Sequence, residues 1–243
     1  ISLNNSRFLK LLNKTKISIS NDDTRHYLNG IYLHLTEAHG RNFLTGVATD
    51  SHRLSSSSLE IGNINDFTSL ILPRKTVFQL CSLLTEDASQ LTMQTTDNKV
   101  KFNLGNMKLI SKVIDGKFPD YKKVVPTGNE KTLVVSSKDF INSIERVASV
   151  SLDRKEGVKL VINKDNVKLS VNSANSGDGN EIIKAEFNSD NLNISFNSKY
   201  LTDIASEVED KNLKMNLKDS VSPVLVEDFS DKNSYYVIMP MKI

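Results

Sequence analysis

Asp50, His52 and Arg53, within the run VATDSHRLS, are the residues whose types and spacing are best suited to chemistry. An aspartate beside a histidine could orient it as a general base. The pair stands at i and i+2, however, and on an extended strand those positions point the same way with little freedom to bond each other. Spacing places no Ser or Cys nucleophile against them. A hydrolase using Asp50 and His52 is the enzymatic alternative that these residues leave open.

The remaining reactive side chains form no pattern. His26, His34, His39 and His52 all lie in the first half without metal-ligand spacing, and Cys81 is the only cysteine. The sequence carries no Gly-rich phosphate loop, and its carboxylates are dispersed, so no metal or cofactor is expected. The segment YYVIMPMKI is the other unusual feature. It reads as a last strand, Tyr235 to Met239, ended by Pro240. Met239, Met241 and Ile243 then put apolar, adaptable side chains where chain ends are usually polar, and such a tail suits the wall of a peptide groove.

These residues need elements to position them. At 243 residues, 38% apolar and 25% charged, the chain fits a globular protein of one or two domains. The net charge of +2 implies no nucleic-acid partner by itself, so any such partner requires basic residues segregated on one face. No apolar run approaches the roughly 18–20 residues of a membrane span, and no membrane partner is expected. The start, ISLNNSRFLK, lacks Met and a signal-peptide core, so a fragment or processed chain of the cytoplasm is expected.

Periodicity predicts four helices. The first covers about residues 4–14 with Phe8, Leu11 and Leu12 as its stripe. The second is LPRKTVFQLCSLL, with Val77, Leu80, Cys81 and Leu84 on one face and Pro73 at its first turn. The third, SSKDFINSIERVASV, groups Phe140, Ile144, Val147 and Ala148 behind a Ser136 or Ser137 cap. The fourth, NSKYLTDIASEV, groups Tyr200, Leu201, Ile204, Ala205 and Val208 behind Asn197. Between them lie alternating strand segments: HYLNGIYLHL, NKVKFNL, NVKLSVNSA and NLNISF.

The order in each half is helix, strands, helix, strands. Lys75 and Lys199, each just inside a helix, are 124 positions apart, and QLTMQTTDNKVKFNL near residue 90 resembles NLKMNLKDSVSPVLV near residue 212. The spacing predicts an α+β chain of two tandem domains, 1–125 and 126–243, each with two helices packed on antiparallel sheets. Arg7, Lys10 and Lys14 share one helix face; Arg74 and Lys75, Lys138 and Arg146, and Lys199 lie on the others. These faces could attract phosphates without reading bases, or be ordinary solvated surface.

Several segments together resemble the bacterial DNA polymerase III beta subunit, the DNA sliding-clamp family. ATDSHRLS is similar to the family's ATDGHRLA, LPRKTVFQL to its PRKGVIEL, and YYVIMPMKI to its YVVMPMRL. KVIDGKFPDYKKVVP looks like the join between its second and third domains, and RHYLNGIYL, SFNSKYLTDI and LKDSVSPVLVED resemble further segments in the right order. The resemblance implies the DNA clamp fold, with the family's first domain absent. It implies a ring-forming homodimer in the full-length protein that encircles duplex DNA without reading its sequence. It also implies docking of the replicative polymerase, the clamp loader and repair proteins, through linear peptides, in one groove. No catalysis is implied.

The resemblance assigns that groove to Leu28, Thr49, His52, Arg53, Leu54, Pro119, Lys123, Val124, Asn197, Tyr200, Val221, Val237, Ile238, Met239, Pro240 and Met241. It assigns DNA-facing roles to Arg7, Lys10, Lys14, Arg74, Lys75, Lys138, Arg146 and Lys199, and to the loop with Arg25, His26 and Tyr27. There are departures. Ser51 replaces the usual Gly, which matters if that position needs φ > 0. Lys123 and Lys242 replace common arginines; Lys155 falls near a usual aromatic, and Pro223 near a usual Ser. A non-DNA scaffold of the same repeat is the remaining alternative.

Overall fold

The computed structural model describes residues 1–62, 67–150, 157–173 and 177–242, so Lys155 and Ile243 lie outside the described residues. The chain divides into two units, Ile1–Asp120 and Tyr121–Ile243. The division falls five residues ahead of the expected 125/126 boundary, because Tyr121 is buried at the head of the short 3-10 turn Tyr121–Val124 in the second unit.

The first unit runs β1 (Ser2–Asn4), α1 (Asn5–Lys16), a 3-10 turn (Asp23–Leu28), β2 (Gly30–Ala38), β3 (Arg41–Thr49), β4 (Arg53–Ile61), β5 (Leu70–Pro73), α2 (Arg74–Leu83), β6 (Gln90–Thr95), β7 (Lys99–Leu104) and β8 (Met107–Lys112). Its strands pair antiparallel as β1-β6-β7-β8 and as β4-β3-β2-β5. The alternation of HYLNGIYLHL predicts strand throughout, but the strand begins only at Gly30. His26 to Leu28 belong to the 3-10 turn, because the Asp22 side chain accepts from the Thr24 amide and turns the backbone before extended pairing begins at Gly30.

The second unit runs β9 (Lys131–Ser136), α3 (Ser137–Ala148), β10 (Gly157–Ile162), β11 (Asn166–Ser173), β12 (Gly177–Phe187), β13 (Leu192–Asn197), α4 (Ser198–Ser206), β14 (Asn212–Leu217), β15 (Val224–Asp228) and β16 (Ser234–Ile238). The pairings repeat those of the first unit: β9-β14-β15-β16 and β12-β11-β10-β13. In addition β12 pairs with β9, opposing Ala185 to Val135. Equivalent positions carry equivalent duties. Phe8 of α1 and Phe140 of α3 are both buried, as are Met93 of β6 and Met215 of β14. Each such side chain contributes about 1.5–3 kcal/mol by leaving water.

The helix starts follow from local hydrogen bonding. Asn4 accepts from the Arg7 amide, Ser136 from the Asp139 amide and Asn197 from the Tyr200 amide. Each cap is worth about 1 kcal/mol. Helix α2 starts instead after Pro73, with no side-chain cap. Within each unit the two helices pack on each other, and α1 also packs on β3 and β4. Lys14, expected on an exposed face with Arg7 and Lys10, is buried. It stands between Leu11 and Thr15, also buried, in the last turn of α1, where the packed elements cover more than the apolar stripe.

Candidate functional site

Asp50, Ser51 and His52 form the turn between β3 and β4 rather than part of a strand. The Asp50 Oδ1 accepts the main-chain amides of His52 at 2.9 Å and Arg53 at 3.0 Å, and its Oδ2 takes Arg53 Nε at 3.1 Å. The carboxylate is thus committed to the turn. Thr49 Oγ1 donates to the Arg53 carbonyl at 2.7 Å and receives the Ser51 amide at 3.1 Å. Arg53 and Leu54 are buried while His52 is exposed, so the turn presents the histidine on a rigid base.

Ser51 has φ 78°, the left-handed region that favours glycine. Its hydroxyl receives Arg25 Nη1 at 2.5 Å, and Arg25 Nε holds Asp22 Oδ2 at 2.8 Å. The Thr24 hydroxyl, Arg25 and the Thr24 amide together hold the Asp22 carboxyl down at about 2. His26 Nε2 lies 3.1 Å from the Asp115 carbonyl, and its ring meets that of Tyr27 edge-on at 5.9 Å. The segment assigned to DNA therefore touches the turn assigned to peptide within the first unit. Leu28 is buried and Pro119 exposed.

In the second unit Met241 donates its amide to the Ser195 carbonyl at 2.8 Å. This parallels the first unit, where Ile114 donates to Ile71 at 2.9 Å. The tail is thereby held along β13, which leads into the Asn197 cap and Tyr200 of α4. Met239 and Met241 remain 39% and 37% exposed, on either side of Pro240. Val237 and Ile238 are buried in β16 and back the surface rather than form it. Asp219 accepts the amides of Val221 at 2.9 Å and Ser222 at 2.6 Å, and these bonds hold its carboxyl below the usual range. The loop so fixed displays Val221, which is exposed, as are Lys123 and Val124.

The groove assignments fall into two groups, one in each unit, and the charges divide just as sharply. Helices α1 and α2 carry Arg7, Lys10, Lys14, Lys16, Arg74 and Lys75 with no carboxylate. Helices α3 and α4 carry Lys138, Arg146 and Lys199 against Asp139, Glu145 and Asp203. Arg146 is clamped by both carboxylate oxygens of Glu181, and Lys199 Nζ lies 3.0 Å from Asp203. The Arg146–Glu181 hydrogen bonds raise the arginine's pKa and lower the glutamate's. The basic character expected of the third helix is therefore offset by its own and neighbouring acids.

Sequence reasoning passed over Lys16 and Phe78. Phe78 is 44% exposed on α2, one position off the Val77–Leu80 stripe. An aromatic out of phase with its helix's apolar face was the available signal. Lys16 lay two residues beyond the predicted end of α1. Among the described residues no group of three or more His, Cys, Asp or Glu is placed to hold a metal ion, and no helix is long and apolar enough to cross a membrane.

Residues 2–120 match the family model of the DNA polymerase III beta subunit central domain, and residues 122–242 that of its C-terminal domain. The chain is 33% identical over 245 residues to the beta sliding clamp of Caulobacter vibrioides (strain NA1000 / CB15N), covering 100% of this chain and 66% of that one. It is 32% identical over 234 residues to the beta sliding clamp of Escherichia coli K12, covering 96% of this chain and 63% of that one. The solved sliding clamp of Bartonella birtlesii bound to griselimycin superposes with a TM-score of 0.95 at 37% identity, over 100% of this chain and 66% of that one. The chain thus spans 63–66% of the length of these relatives.

Proposed function

Because the chain belongs to the DNA polymerase III beta subunit family, with its halves matching the central and C-terminal domains, we propose that it acts as part of a DNA sliding clamp in bacterial DNA replication. The complete protein closes as a homodimeric ring around duplex DNA in the cytoplasm. It holds DNA by weak, sequence-blind contacts to phosphates. A polymerase tethered to it keeps a high effective concentration at the primer end, which is the origin of processivity. The clamp loader and repair proteins use the same docking residues.

The chain works by binding and not by catalysis. Asp50, the one candidate for orienting a base, is occupied by the turn's amides and Arg53. The surface docking residues are His52 and Pro119 in the first unit, and Lys123, Val124, Val221, Met239, Pro240 and Met241 in the second. Thr49, Asn197 and Tyr200 are polar positions beside them, and Arg53, Leu28, Leu54, Val237 and Ile238 provide support. Arg7, Lys10, Lys75, His26 and Tyr27 face DNA with Arg74. Arg25 in the first unit, and Lys138, Arg146 and Lys199 in the second, also face DNA, with part of their charge offset by neighbouring carboxylates. The carboxylate-free α1/α2 pair favours DNA over a scaffold role without DNA.

The observation that carries the docking role is the tail: two exposed methionines flanking a proline, pinned by the Met241–Ser195 hydrogen bond. A fluorescent Gln-Leu-Ser-Leu-Phe peptide titrated into the chain should bind saturably. Met239→Ala with Met241→Ala should weaken binding about tenfold or more, as loss of central apolar contacts does. Equal binding to wild type and double variant would remove the tail from the site.

A further inference from the structure

The exposed face of α1 and α2 has a feature that phosphate binding leaves unexplained. Phe78 is an exposed aromatic on an otherwise polar face. The Arg74 guanidinium lies over its ring at 5.1 Å from the centroid, and Lys16 Nζ lies over it at 6.0 Å. Lys16 is further steadied by Asn13 Oδ1 at 2.6 Å. Exposing so much aromatic surface is unfavourable in isolation. Cations held over an aromatic ring, and free to swing from it to phosphates, on helices without a carboxylate, match a polyanion that also offers flat apolar faces.

We propose that this face binds single-stranded DNA, with Phe78 as the platform on which an unpaired base stacks and Arg74 and Lys16 taking the flanking phosphates. The inference rests on the reading that α1 and α2 face DNA, and narrows it to a strand state. In a duplex the bases are already stacked on each other, so an aromatic side chain finds only sugar and phosphate. In a single strand every base has a free face, and stacking on an aromatic is tolerant of sequence. A clamp that slides past a primer end meets both forms. Contact with unpaired bases would distinguish the junction from the duplex behind it.

The test uses fluorescence anisotropy of the chain with a labelled oligothymidylate of about 15 nucleotides, long enough to exceed a typical single-strand site, and with a duplex of the same length. Phe78→Ala should weaken oligothymidylate binding about tenfold and leave duplex binding within about twofold, because the phosphate contacts remain. Phe78→Tyr should retain both, and circular dichroism should be unchanged in each variant. Three results would overturn the proposal: no measurable oligothymidylate binding by wild type, unchanged binding by Phe78→Ala, or equal losses on single strand and duplex. Polyglutamate serves as a further probe. If Phe78→Ala weakens polyglutamate binding as much as oligothymidylate binding, the face is an acidic-peptide site instead. Failure of the wider reading is seen separately, as duplex binding by wild type that is absent or insensitive to salt.

Discussion

Arg25 Nη1 donates to Ser51 Oγ at 2.5 Å while Arg25 Nε holds Asp22 at 2.8 Å. One guanidinium thus ties the turn before β2 to the turn between β3 and β4. It does so at a residue with φ 78°, so the serine that strains the backbone also supplies the acceptor.

Ser51→Gly removes both the strain and the hydrogen bond, whereas Ser51→Ala keeps the strain and removes only the bond. A left-handed position costs a side-chain-bearing residue about 1 kcal/mol relative to glycine, and an exposed hydrogen bond contributes no more than about 1 kcal/mol. Ser51→Gly should therefore leave the urea midpoint close to wild type, and Ser51→Ala should lower it. An Ala variant as stable as the Gly variant would show that the backbone relaxes from the left-handed conformation.

Asp22 gives the same cluster a pH signature. Its folded pKa, about 2, lies below the ordinary value of 3.8, first through the Thr24 hydroxyl and then through Arg25. A depressed carboxylate pKa contributes stability that is fully present above 3.8 and lost as pH falls toward about 2. Asp22→Asn should accordingly differ most from wild type above pH 4 and converge with it near pH 2. By NMR titration of the Asp22 carboxyl, Thr24→Ala should raise the midpoint more than Arg25→Ala does.

Arg53 supports the turn that carries His52 rather than lying open. Its side chain is 8% exposed and that of Asp50 14%. Arg53→Ala removes the ion pair from a largely buried carboxylate that keeps its two amide donors, and should cost about 2 kcal/mol in urea unfolding. Lys cannot reproduce the Nε bond to Asp50 and should rescue little. His52→Ala, at an exposed position, should leave stability within about 0.5 kcal/mol while weakening peptide binding. Peptide affinity unchanged in His52→Ala would remove the histidine from the site.

Tyr236 is fully buried in β16, and its hydroxyl has no hydrogen-bond partner among the described residues. Burial, with nearby acids led by Glu207, pushes its phenol above the ordinary range. Tyr236→Phe removes an unsatisfied polar atom without changing the packing. It should be neutral or stabilising by about 1 kcal/mol. Clear destabilisation would reveal an ordered water on that hydroxyl.

The duplication, the four helices and two of their caps were legible in the sequence because they depend on local chemistry. Stripes at helical spacing, Ser136 and Asn197 as caps, and the 124-position offset between Lys75 and Lys199 recur whatever the units do in space. The tail's apolar character was equally plain. Its attachment was not, since the Met241–Ser195 bond joins residues that no sequence period relates.

The sequence by itself determined the two-fold α+β plan, because hydrophobic period and capping are properties of neighbouring residues. Only the tertiary structure decided which charges count. Lys14 is buried, Arg146 is held by Glu181 from β12, and Lys199 is paired with Asp203, whereas Arg7, Lys10, Lys16, Arg74 and Lys75 share helices without acids. Burial and ion pairing depend on what folds back against each helix. A helical spacing says which residues share a face, but not what that face meets.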